Sequence, residues 1–144
     1  FYYPGYNLRS TDLQAFIGLN QIDKLDDWGK QRQRNFESYQ TLIKNDYWKV
    51  KPREDSFISN FAYPVIHPNR DKIVKELQKN NIEVRPMICG SMGTQPFYVK
   101  KYGRLELPNV SIIDKYGFYI PNHPHLTSSE IILISHIVNE GINS

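Results

Sequence analysis

Cysteine is nearly missing from this sequence: Cys89 is the single one, so no disulfide can close within it and nothing asks for an oxidising compartment. Long apolar runs are missing too. No stretch reaches the roughly 18 consecutive apolar residues of a membrane-spanning helix, because charge or proline interrupts each candidate within a few positions. The opening Phe1-Tyr2-Tyr3-Pro4-Gly5-Tyr6 lacks the basic-then-apolar order of a secretory signal and reads like a chain entered in mid-course. With four histidines, one cysteine and no HExxH spacing, there is no credible zinc set. An excess of one charge is absent as well: 18 basic against 15 acidic residues leave +3. The one local basic run, Lys30, Arg32 and Arg34, would be spread around a helix, so nucleic acid is not an expected partner. Together these absences lead us to expect a soluble cytoplasmic protein without a metal or a membrane anchor.

What the sequence does have is tyrosine, ten in 144 residues. Tyrosine joins a large apolar body to a polar tip, which suits a surface half-buried against another domain or subunit. The length fits one domain with its own core. Thr11 and Gln14 have capping-box spacing, and behind them Leu13, Phe16, Ile17, Ile22 and Leu25 form an apolar stripe able to pack on a neighbour, with Gly18 marking a close helix contact. The pattern continues through Phe36, Tyr39, Leu42 and Ile43, predicting one long helix, or two with a bend at Asp26-Asp27 or Gly29. Tyr47–Val50 and 57–66 read as strands, although Pro64 argues against a central ladder position. A helix carrying Ile73, Val74 and Leu77 should stop at Asn80-Asn81, and Ile82–Arg85 should be a short strand cut off by Pro86. A loop of about ten residues follows, then short helices at 96–102 and 110–115 and a strand at 118–120. A second capping box, Thr127 with Glu130, opens a closing helix whose buried side is Ile131, Ile134, Ile137 and Val138. The fold class is α+β: a long N-terminal helix plus a small, mainly antiparallel sheet with helices over one face.

Candidate chemistry is sparse. Arg85 ends a strand just before a glycine-bearing loop, where a planar guanidinium can clamp a phosphate or carboxylate; an ordinary rim salt bridge fits the position as well. His123 and His125 share a tight proline-bounded turn that is either structural or ligand-contacting. Asn7 and Arg9 sit just before a helix N-terminus, where amides and the dipole favour anions, although capping accounts for most of that string. Cys89 lacks a partner base nearby in sequence.

Read as a whole, the string Gly5-Tyr6-Asn7-Leu8-Arg9-Ser10-Thr11-Asp12-Leu13-Gln14-Ala15, then Gly18-Leu19, then Gln21-Ile22-Asp23-Lys24-Leu25-Asp26, resembles the G-Y-N-x-R-x-T-D-L-Q-A-A-x-G-L-x-Q-L-x-x-L-D segment of the DegT/DnrJ/EryC1/StrS sugar aminotransferase family. The resemblance continues through Arg85-Pro86, Gln95-Pro96 and Asn122-His123-Pro124-His125-Leu126, and corresponds to the last third of a typical member. It implies the C-terminal small domain of a fold-type I pyridoxal phosphate-dependent transferase, spanning 1–144, with 1–12 leading in from a large cofactor-binding domain. By position it implies that Asn7 reaches the phosphate of pyridoxal or pyridoxamine 5'-phosphate across a homodimer interface with Arg9 beside it, and that Arg85 and His123 contact a nucleotide-linked sugar. The residue that bonds the cofactor belongs to the large domain in this family, so no catalytic residue is expected in this chain and it should be inactive alone. Met87-Ile88-Cys89-Gly90-Ser91-Met92 and Ile113-Asp114-Lys115-Tyr116-Gly117-Phe118 resemble the pyridoxamine-dependent 3-dehydratases, a branch that eliminates the 3-hydroxyl of a keto-deoxyhexose instead of transferring an amine. The implied function is therefore that of an aminotransferase or 3-dehydratase in deoxyamino- or dideoxysugar synthesis for cell-surface polysaccharide. A non-catalytic binding or dimerisation module that keeps this fold is the alternative.

Overall fold

A computed structural model describes residues 11–87 and 90–143 of the chain; Asn7, Arg9, Ile88 and Cys89 lie outside the described residues. Helix α1 (Asp12–Ile22) starts at the expected capping box, in which Gln14 N donates to Thr11 Oγ1 at 3.3 Å and Thr11 N donates to Gln14 Oε1 at 2.9 Å. Helix α2 (Leu25–Leu42) follows after a break at Asp23-Lys24, earlier than the expected bend. Aspartate favours helix ends over interiors, and Asp26 and Asp27 in the first turn of α2 complement the dipole of a new helix, so the chain restarts before them. Gly29 instead lies inside α2, and a Cβ there would come 3.0 Å from the ring of Phe57, so the bare glycine seats that ring.

Tyr47–Val50 is not a strand, contrary to the sequence reading. The Asn45 side chain takes over the local backbone: its Oδ1 accepts from Tyr47 N at 3.1 Å while its Nδ2 donates to Ile66 O at 3.1 Å, and such a side-chain turn competes with a ladder. Of the expected 57–66 strand only β1 (Ala62–Ile66) pairs. Helix α3 (Arg70–Lys79) ends as anticipated: Asn81 takes the left-handed conformation with φ of 59°, and Ile82 N donates to Leu77 O at 3.0 Å. That closure uses Ile82, and β2 shrinks to Arg85–Pro86. The loop contains a 3-10 turn at Met92–Thr94 and leads to α4 (Pro96–Tyr102), α5 (Pro108–Tyr116), β3 (Gly117–Pro121) and α6 (Ser128–Ile142).

The sheet has the order β1-β3-β2, antiparallel throughout, with Pro64 in an edge strand as its missing N–H requires. One face of the sheet packs on α2, α3 and α6. Phe118 and Ile120 of β3 point into this core, which also holds Tyr39, Val65, Ile73, Leu77, Ile134 and Val138. Side-chain amides tie the helices together: Asn139 Nδ2 donates to Leu42 O at 2.9 Å and its Oδ1 accepts from Lys44 N at 2.8 Å, finishing the C-terminal end of α2. Where α6 crosses α3, a Cβ on Gly141 would stand 2.5 Å from Ile73 Cγ1, so that helix pair depends on the glycine. Helix α6 buries the four residues expected of it. Helix α1 buries none, and a Cβ on Gly18 would meet nothing within 4 Å; the close contact expected there is absent among the described residues. Among those residues no helix is long and apolar enough to cross a membrane.

Candidate functional site

Strand alternation sends Phe118 and Ile120 into the core and leaves Tyr119 on the opposite face of β3. The register places Pro64 of β1 and Arg85 of β2 on either side of Tyr119, so all three lie in one row across the face that the helices leave uncovered. A cleft of about 330 Å³ opens on that row, lined by Phe61, Glu83, Arg85, Tyr119 and Pro121 among others. The Phe61 and Tyr119 rings stand 5.9 Å apart, tilted by 59°. Arg85 Nε donates to Glu83 Oε1 at 3.0 Å. Both partners of that pair are well exposed, so it is weak and readily exchanged for another anion.

One end of the cleft is built by the turn that follows β3. Asn122, fully buried, donates through Nδ2 to Asn60 O at 2.8 Å and to Arg32 O at 3.1 Å, while its own N–H donates to Phe61 O at 3.3 Å. Its Oδ1 has no hydrogen-bond partner. Asn35 Nδ2 donates to His123 O at 2.9 Å, and Tyr39 OH donates to Pro121 O at 3.0 Å. Three contacts from consecutive residues thus fasten the turn to α2, and two more tie the Phe61 corner to Asn122. Burial, with a smaller contribution from the Glu130 charge, pushes the Tyr39 phenol well above its ordinary range. Burial alone pushes Tyr63 up to about 12. Both phenols therefore remain neutral donors at any physiological pH.

His123 is exposed, and its Nδ1 accepts from His125 N at 3.2 Å, so a neutral His123 carries its proton on Nε2. The two imidazoles stand 5.0 Å apart, and His125 meets Trp28 edge-on at 6.1 Å. His123 does not line the Arg85 cleft. It lies four residues beyond Tyr119, past the end of β3 at Pro121, and so at most about 13 Å further along. Arg85 and His123, both read from the sequence, therefore occupy two neighbouring spots. Tyr119 and Asn122 were not singled out from the sequence, although strand alternation through Tyr119 was a usable signal.

The loop after Arg85 is shaped by glycine. Gly90 has φ of 72° and donates to Met87 O at 3.0 Å, and any Cβ there would collide with the Asp114 carboxylate of α5. His67 is held neutral to lower pH than usual by burial, with Nδ1 accepting from Asn69 N. No group of three or more His, Cys, Asp or Glu side chains among the described residues could hold a metal ion. All lysines among them are exposed, so none stands in a buried pocket of the kind that bonds an aldehyde cofactor.

Comparison with known proteins places this geometry. The model of the DegT/DnrJ/EryC1/StrS aminotransferase family matches residues 2–139. The lipopolysaccharide biosynthesis protein RfbH of Salmonella typhimurium is 29% identical over 137 residues, which are 88% of this chain and 31% of that protein. GDP-4-keto-6-deoxy-D-mannose 3-dehydratase of Yersinia pseudotuberculosis is 27% identical, over 91% of this chain and 35% of its own length. Among solved structures, the Escherichia coli GDP-4-keto-6-deoxy-D-mannose-3-dehydratase with bound hydrated PLP aligns with a TM-score of 0.76 at 25% identity, covering 96% of this chain and 38% of that one. An aminotransferase of the same family from Brucella abortus aligns with a TM-score of 0.85 at 23% identity, over 97% of this chain and 38% of its own. The chain thus spans about a third of the length of these curated relatives.

Proposed function

The chain belongs to the DegT/DnrJ/EryC1/StrS aminotransferase family, and on that premise we propose that it is the C-terminal small domain of a cytoplasmic, homodimeric enzyme dependent on pyridoxal or pyridoxamine phosphate. Its substrate is a nucleotide-linked keto-deoxyhexose destined for cell-surface polysaccharide, and residues 1–12 lead in from a large domain that holds most of the cofactor. The observation that carries this reading is the family match across residues 2–139 on a fold that aligns with solved members. Asn7 and Arg9, outside the described residues, are assigned to the cofactor phosphate. Arg85 is assigned to an anionic group of the substrate, which its exposed, exchangeable fork suits. His123 is assigned to substrate contact from the fastened turn, presenting an Nε2 donor. By itself the chain has no turnover in this reading, because the resemblance puts the residue that bonds the cofactor in the large domain.

Between the two reactions, the 87–92 loop and the 3-dehydratases among the relatives favour dehydration, while the GDP-perosamine synthases among them represent amine transfer. The deciding experiment supplies the complete gene product with GDP-4-keto-6-deoxymannose and either pyridoxamine phosphate or pyridoxal phosphate with glutamate. Loss of the 3-hydroxyl makes it a dehydratase and gain of a 4-amino group an aminotransferase. Absence of both, with this and with dTDP-linked keto sugars, overturns the enzyme reading. The alternative, a non-catalytic dimerisation module, is favoured by one observation, the bare apolar stripe of α1. It would reveal itself as a stable dimer of the 144-residue chain.

A further inference from the structure

The geometry points to the cleft on the uncovered sheet face as the seat of the substrate's nucleoside diphosphate, with the base laid against Tyr119 and bordered by Phe61, and the diphosphate on Arg85. This assignment rests on the nucleotide-sugar reading above and extends it to two residues, Phe61 and Tyr119, that the sequence reading did not select. Three features carry it. The first is composition: the cleft joins two aromatic rings to one guanidinium, the pairing that binds a flat base together with an anion. The rings are tilted by 59° and not stacked, so they leave aromatic face available to a third ring.

Spacing is the second. The strand order puts the Phe61 corner on the β1 edge and Arg85 on the β2 edge, with Tyr119 between them. Arg85 stands directly across from Tyr119, one strand spacing of about 4.8 Å away, so a base laid against Tyr119 keeps its diphosphate within reach of the long Arg85 fork, while the Phe61 corner borders the base from the far edge. Rigidity is the third. Phe61 is 72% exposed, yet its backbone and that of Asn60 are both held by buried Asn122. A large exposed phenyl on a fastened corner is pre-organised for a partner ring, which lowers the entropy lost on binding.

Glu83 sharpens the test. It holds Arg85 Nε in the free chain, so an incoming diphosphate must compete with a carboxylate, and removing that carboxylate should tighten binding. The experiment is a titration of the 144-residue chain with GDP, followed by amide and side-chain NMR shifts, with guanosine, inorganic pyrophosphate and pyridoxal phosphate as separate arms. Saturable shifts at Phe61, Arg85 and Tyr119 are expected with GDP, and weaker binding with guanosine or pyrophosphate alone. Tyr119→Ala and Arg85→Gln should each weaken GDP by about tenfold, Tyr119→Phe should keep it within about twofold, and Glu83→Gln should strengthen it several-fold. GDP shifts that avoid the cleft, no GDP binding, equal or tighter binding of pyridoxal phosphate there, or affinity untouched by Tyr119→Ala would each overturn the assignment. Failure here is separable from failure of the enzyme reading. A complete gene product that turns over a nucleotide sugar with its KM unmoved by Tyr119→Ala sinks only the cleft, while GDP bound in the cleft of a protein without turnover sinks only the reaction.

Discussion

Helices α1 and α6 begin with the same device and end in opposite circumstances. Each opens on a threonine capping box, Thr11 with Gln14 and Thr127 with Glu130, and each carries an apolar stripe at helical spacing. On α6 that stripe is the floor of the core, with Ile134 3% exposed; on α1 Ile17 is 54% exposed and no residue is buried. Capping is a local transaction among four residues and forms wherever the spacing is right, whereas burial needs a partner surface. The pair therefore separates what a helix contributes by itself from what packing adds.

Matched substitutions test the contrast most strongly. Ile134→Ala should cost about 2–5 kcal/mol in urea unfolding, since it removes transfer energy and leaves a cavity. Ile17→Ala should cost less than about 0.5 kcal/mol, the range of surface positions. An equal cost at the two sites would break the comparison and mean that α1 is covered in solution by a second copy. The glycines give the next largest effect, with opposite signs. Gly141→Ala drives a methyl into Ile73 and should destabilise by about 1–3 kcal/mol through overpacking. Gly18→Ala meets nothing and should raise the helicity of α1, by up to about 1 kcal/mol locally, read as slower amide exchange in that helix with an unchanged global midpoint.

Smaller still is the cap itself. Thr127→Ala should lower global stability by about 1 kcal/mol, while Thr11→Ala should only speed amide exchange in the first turn of α1. The finest distinction is in pH. Glu130 is held below the usual carboxylate range, first by the hydrogen bond from the Thr127 backbone and then by that from its hydroxyl. Because the folded value lies below the unfolded one, the stabilisation is complete above the unfolded value and is lost as pH falls through the folded one. Its counterpart Gln14 does not titrate. Acid below about pH 4.5 should therefore loosen the start of α6 and leave that of α1 unchanged, which residue-resolved exchange across that range would detect; Glu130→Gln should abolish the difference.

The same division explains what could be read from the sequence. Both capping boxes, the α3 stop at Asn80-Asn81, the edge position of Pro64 and the buried side of α6 are local or periodic signals, and they were legible. The Tyr47–Val50 strand was misread because large apolar residues at alternate positions resemble a strand, while Asn45 just ahead, whose amide captures the backbone, depends on Ile66 across the fold for its placement. The α1 stripe was read correctly as apolar, but which surface answers it lies beyond the described residues. At the cleft, the strand-end position of Arg85 was legible from its place before Pro86 and the loop. Its row with Tyr119 and the Asn122 clamp on Phe61 depend on strand register and on contacts 62 residues apart in sequence, which local patterns do not carry.

The prolines of the two outer strands have a bearing on handling this chain. Pro64 lies in β1 and Pro86 in β2, the two edges of the sheet, and a residue without an N–H cannot complete a ladder with an incoming strand. A polypeptide that bares this many aromatic and aliphatic side chains would ordinarily be at risk of growing into fibrils from its sheet margins. With both margins blunted, growth from the sheet edges is disfavoured, and overexpressed material should fail by amorphous clumping of its exposed apolar faces before it fails by cross-β growth.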